Sequence, residues 1–143
     1  KRKKLSNMRQ TVEVDNAIRI PTSLDESFFK YWLKFLTPFH HLTPRAMDVA
    51  TEFLKHRYDL SKVILDANIL ESTVMGEDVK KKIMEELGIT PAHFLVIMGK
   101  LKKSKFIQDN KINPRYIPRV TEENENGSFN LVLLFTFNNH GVQ

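Results

Sequence analysis

Five histidines, 17 carboxylates and 22 lysines and arginines are the material from which any chemistry of this chain must be made, because it contains no cysteine. The lack of thiols excludes disulfides, thiolate metal sites and thiol catalysis. His40, His41, His56, His93 and His140 show no metal-ligand spacing with one another, such as the i, i+4 pair that sets two imidazoles on one helix face. No metal and no other cofactor is therefore expected. Glu85-Glu86 and Glu122-Glu123-Glu125 are neighbouring carboxylates on a helix surface and at a hairpin tip, where water solvates them and leaves them no acid–base task. No glycine-rich loop leads into a helix to cradle the phosphates of a nucleotide. Catalysis is not expected.

The cations are the stronger signal. A formal net charge of +5 and a pI near 9.5 favour an anionic partner. Between Val79 and Arg119 stand ten basic residues (Lys80, Lys81, Lys82, Lys100, Lys102, Lys103, Lys105, Lys111, Arg115 and Arg119) against three acids, Glu85, Glu86 and Asp109. The local excess of +7 is larger than that of the whole chain. Residues 1–10 add Lys1, Arg2, Lys3, Lys4 and Arg9 with no acid among them, the pattern of a flexible basic arm that a polyanion or an acidic surface would hold. Lys1 to Lys4 also resemble the head of a secretion signal, but Asn7, Arg9, Gln10, Glu13 and Asp15 occupy the place of its hydrophobic stretch. No apolar run approaches the ~18 residues of a membrane span. A cytoplasmic protein, or one of host cytoplasm or virion if phage-encoded, with no membrane partner is the expectation.

The elements that must position these charges are readable from local signals. Val12, Val14, Ile18 and Ile20 among polar residues predict a strand within 11–20, ended by Pro21. Ser23 and Glu26 form a capping-box pattern before a helix over 24–36, where Phe28, Trp32, Phe35, Leu36 and Phe39 recur as one aromatic face, a core seam or a dimer seam. Thr43-Pro44 opens a second helix to about Arg57, with Ala46, Val49, Ala50, Phe53 and Leu54 as its apolar stripe. A short helix over 60–71 and an extended link through Ser72 to Gly76 follow. Glu77 and Asp78 begin a helix that stops at Gly88, Ile89 plugs the corner, and Thr90-Pro91 starts a further helix to about Ser104. A strand begins at Phe106-Ile107, and 115–121 and 129–137 are two more, joined by a turn at Asn126-Gly127.

Strand, helices, a helix-corner-helix, a strand and a hairpin follow one another in an order that resembles the winged helix-turn-helix family over residues 43–138. The motif "LGIT" followed by "LKKSKFI" carries most of the likeness. Lys105 stands where such families commonly have glycine, so either the turn is more open or Lys105 takes a left-handed conformation at a cost of about 1–2 kcal/mol. The resemblance implies an α+β, mostly helical fold: a winged helix-turn-helix at 43–143 with a C-terminal β-hairpin wing, an N-terminal strand and aromatic helix at 11–42 packed on it, and the basic arm at 1–10.

With Phe94, Ile97, Met98 and Leu101 turned inward, the outward side of the second helix of the pair holds Ala92, Val96, Gly99 and Lys103, flanked by His93, Leu95 and Lys100. Reading base edges usually takes Arg, Lys, Asn or Gln, and this helix offers only His93 and lysines. The expectation is therefore a non-enzymatic binder of duplex DNA or another nucleic acid, of regulator type or a phage or plasmid replication or packaging factor. Its contacts, mostly to phosphates, would come from Thr90, His93, Lys100, Lys103, Lys105, Arg115, Arg119, Lys1, Arg2, Lys3 and Lys4, with modest sequence selectivity. The alternative is a structural or assembly protein, such as a phage particle component or an adaptor, that forms a homodimer or a larger protein assembly and uses Ala92, Val96, Gly99, Phe28, Trp32 and Phe35 for protein contacts.

Overall fold

A computed structural model describes residues 3–7, 10–14 and 26–119, the first two stretches and Glu26 by their backbone alone. Among the described residues the chain is mostly helical, with two small antiparallel β pairs. Strands β1 (Lys3–Asn7) and β2 (Gln10–Val14) pair antiparallel, with Lys3 opposite Val14 and Asn7 opposite Gln10. Half of the expected basic arm is thus drawn into a hairpin with the front of the expected 11–20 strand.

Helices α1 (Glu26–Phe35) and α2 (Thr37–His40) meet at Leu36, just before Pro38. Leu33, Phe29, Phe28 and His40 are buried, whereas Phe35 is 55% exposed and Phe39 lies open as well. This rotates the expected aromatic face: Phe28 is core, and Phe35 faces out. The apolar side of α1 is broader than the aromatic set, with Ser27, Lys30 and Lys34 on the remaining strip, so packing on α3 decides which of its apolar residues are covered. Trp32 is half-buried, and its indole N–H donates to the carbonyl of Tyr116 at 2.7 Å, so it ties α1 to the far end of the described chain. Phe28 is therefore turned away from the protein-contact surface assigned to it, while Trp32 keeps part of its ring at the surface.

Helix α3 (Pro44–Ser61) is the central strut, packed against α1, α4, α5 and α6. Its start follows from Thr43, whose hydroxyl accepts from the amide of Ala46, and from Pro44 at the first helical position. Ala46, Val49, Ala50, Phe53 and Leu54 are all buried, the stripe expected of them. The helix runs one turn past Arg57. Helix α4 is Ala67–Val74 rather than 60–71, because the Asp66 carboxylate caps the amide of Ile69 at 3.0 Å and fixes the start there. Ser72 to Val74, expected to be extended, are its last residues.

Helix α5 (Glu77–Leu87) ends at Gly88, which is left-handed at φ 63°. Ile89 is buried in the corner, and α6 (Pro91–Lys103) begins behind Thr90, whose hydroxyl accepts from the His93 amide. The guanidinium of Arg45 donates to the Leu87 carbonyl at 2.6 Å, satisfying an end carbonyl of α5 from the first turn of α3. After α6, Lys105 takes the left-handed alternative at φ 65°. Strands β3 (Ile107–Gln108) and β4 (Lys111–Ile112) then form a tight hairpin. Asp109 and Asn110 turn it, both at positive φ, as a two-residue type I′ loop requires.

The expected strand at 115–121 is not formed over its described part. Pro114–Tyr116 is a 3-10 turn, nucleated by the Asn113 side chain, which accepts from the Arg115 amide at 3.1 Å, and by Pro114 at the first position. The strand at 129–137 and the turn at Asn126-Gly127 lie outside the described residues. The core is one cluster in which Phe53 of α3 meets Phe94 of α6, and Phe106, Ile112 and Tyr116 close its lower end.

Candidate nucleic-acid interface

The α6 surface divides as its sequence period dictates. Phe94, Ile97, Met98 and Leu101 are buried, and Ala92, His93, Leu95, Val96, Gly99, Lys100, Lys102 and Lys103 are exposed. A β-carbon built on Gly99 meets nothing within 4 Å, so the fold does not itself require glycine there. Leu95 and Val96 are 72% and 57% exposed, a costly way to use large apolar side chains unless something covers them.

The cations beyond α6 are gathered by a side chain that the sequence reading passed over. Asn113 donates through Nδ2 to the Lys105 carbonyl at 3.0 Å and to Gln108 Oε1 at 3.1 Å, while its Oδ1 accepts from the Arg115 amide. Lys105, β3 and Arg115 are thereby fixed around one amide group. The Lys105 amide bonds back to the Lys102 carbonyl, so the basic end of α6 joins the same surface. Arg115 sits on the 3-10 turn instead of beside a strand, with its guanidinium 6.0 Å from the ring centre of exposed Phe39. Among the described residues, Lys100, Lys102, Lys103, Lys105, Lys111, Arg115 and Arg119 are all exposed and none pairs with a carboxylate. Lys100, Lys102 and Lys103 lie in the last turn of α6, where the helix dipole favours positive charge. That accounts for these three locally, not for Lys105, Lys111, Arg115 or Arg119.

Of the other residues read as phosphate contacts, Lys3 and Lys4 lie in β1, and Lys1 and Arg2 are outside the described residues. Thr90 is exposed with its hydroxyl already engaged as the cap of α6. His93 is exposed one turn along.

Two other polar centres emerge. His40 is buried; its Nε2 donates to the Leu33 carbonyl at 2.7 Å, and its Nδ1 accepts from the Leu42 amide at 3.0 Å. Accepting that amide requires a neutral ring. Its pKa is pushed below 6.5, first by burial and then by the neighbouring His41, against the hydrogen bond to Leu33. Between α3 and α5, Glu52, His56 and Glu86 bring one ligand atom each to within 4.8 Å of one another. The Glu52–His56 spacing of i, i+4 was a readable signal; that Glu86 lies across from it is a fact of packing.

In comparisons with known proteins, no family model, no curated protein and no solved structure matches this chain. No helix among the described residues is long and apolar enough to cross a membrane.

Proposed function

We propose that this is a non-enzymatic nucleic-acid-binding protein of winged-helix type, in which α5 and α6 form the helix-turn-helix and the β3–β4 hairpin serves as the wing. The single observation that carries the reading is the set of seven exposed cations, running from the end of α6 through the hairpin and 3-10 turn to Arg119, that no described carboxylate neutralises. Unpaired cations suit a row of phosphates, which release counterions on binding. The small side chains of Ala92 and Gly99 allow α6 to approach a duplex closely. The lack of paired donors and acceptors on that helix keeps sequence selectivity modest.

Changing Lys100 and Lys103 together to Ala tests this. Affinity for random duplex DNA is expected to fall on every sequence, and the slope of log affinity against log salt to flatten by up to about two units. The thermal midpoint should stay within about 2 °C, as for exposed side chains without partners. Unchanged affinity and slope would remove α6 from the interface.

Exposed Leu95 and Val96 favour a second reading, in which the same face docks on protein in an assembly. Val96→Glu separates the two. Loss of an oligomer or partner in light scattering, from a parent that binds no DNA, decides for assembly. Loss of DNA binding by an unaltered monomer decides for the first reading.

A further inference from the structure

Glu52 and His56 are one helical turn apart on α3 and share a face, while Glu86 faces them from α5. His56 Nε2 and Glu86 Oε1 are already 2.7 Å apart, and the third ligand atom, from Glu52, lies within 4.8 Å of both. A tetrahedral ion with bonds of about 2.0–2.2 Å sets its ligand atoms roughly 3.4 Å apart. The 2.7 Å pair would have to open by some tenths of an ångström and the Glu52 oxygen to close, movements within the reach of side-chain torsions on two fixed helices. Glu52 is buried at the floor of the group, His56 is half-buried and Glu86 is at the rim, so solvent reaches the cluster from one side.

We propose that Glu52, His56 and Glu86 form a binding site for a divalent transition ion of the zinc class, with water completing the shell. One imidazole and two carboxylates match the nitrogen and oxygen donors such ions take, and their charge offsets that of the cation. Bound there, the ion would clamp α5, the first helix of the pair, to the central strut α3. This site is independent of the nucleic-acid reading.

The test uses the full chain without a histidine tag, freed of metal by chelation, and titrated at pH 7.5 with Zn²⁺ by calorimetry and with Co²⁺ by visible absorption. One ion per chain is expected, with visible bands of four- or five-coordinate cobalt and a thermal midpoint raised by about 5 °C or more at a hundredfold excess over Kd. Glu86→Gln, which keeps an acceptor for His56 but loses the charge, should weaken binding about tenfold or more, as should His56→Gln. His93→Gln, on the exposed face of α6, should leave the affinity for the ion as in the parent. No binding up to millimolar ion, or binding unaltered in both Glu86→Gln and His56→Gln, would overturn the site. If His56→Gln fails to fold, Glu86→Gln at the exposed rim decides alone.

Discussion

Arg57, Arg45 and Lys30, on α3 and α1, each reach a carboxylate, Arg57 meeting Glu71 at 2.7 Å with both side chains about four-fifths buried. Lys100, Lys103, Lys105 and Arg119, on and beyond α6, reach none among the described residues. The two regions are separated by one layer of core, yet they treat charge in opposite ways. On the α3 side, charge holds helices together: Arg57 grips α4, and Arg45 caps α5. On the α6 side, beyond the three lysines that suit the helix end, charge contributes little to the fold and remains available to an outside partner.

If that contrast is right, substitutions on the two sides should fail in different assays. The largest effect on stability is expected from Arg57→Ala, which strands the Glu71 carboxylate in a partly buried position. Its cost should be about 1–3 kcal/mol, between the values for exposed and buried pairs, read by chemical denaturation with nucleic-acid affinity unchanged at a temperature where the variant is folded. An equal loss of affinity would mean that the paired region also belongs to the interface.

A smaller effect should come from pH. His40 binds its proton less readily when folded than when unfolded, so the unfolded chain takes up more protons as the medium is acidified. The stability His40 contributes is full above about pH 6.5 and is lost as the pH falls from there through its lowered folded value. Protonation would also turn Nδ1 from an acceptor into a donor facing the Leu42 amide. The fall in thermal midpoint between pH 7.5 and pH 5 should therefore shrink in His40→Gln, whose side chain does not titrate. A variant with the same acid sensitivity as the parent would assign that sensitivity to other groups.

The smallest effect is also the most telling about α6. Gly99→Ala should stabilise the fold by up to about 1 kcal/mol, since glycine is a poor helix former and the space for a methyl group is free. Partner affinity should fall modestly if the close approach of α6 matters. Stabilisation with affinity unchanged would place Gly99 away from the contact.

The parts of this architecture that were legible in the sequence rest on local chemistry. Gly88, Ile89 and Thr90-Pro91 specify the corner between α5 and α6 within four residues, by a left-handed stop, a buried plug and a cap. Lys105 posed two alternatives, and the left-handed one is realised. Less legible was the hairpin at 107–112, because strands of two residues show no alternation and Asp109-Asn110 was overlooked as a turn. Asn113 and Pro114 convert the expected start of the strand at 115–121 into a 3-10 turn through one side-chain hydrogen bond, which apolar patterning does not register. The rotation of α1 is ambiguous because its apolar side is broader than the face that α3 covers. Of the candidate interface, the charge was visible along the chain, but its freedom from carboxylates and its gathering around Asn113 appear only after folding.

The measurement that bears most directly on the central claim is the affinity of the unaltered protein for random-sequence duplex DNA at 50 mM and 200 mM salt, read by fluorescence anisotropy. If the unpaired cations lie along phosphates, five to seven contacts give a log–log slope of roughly −4.5 to −6.3, a loss of about 500- to 6,000-fold over that fourfold change in salt. Binding too weak to detect at 50 mM, or a slope near zero, would contradict the account and leave the exposed face of α6 to a protein partner.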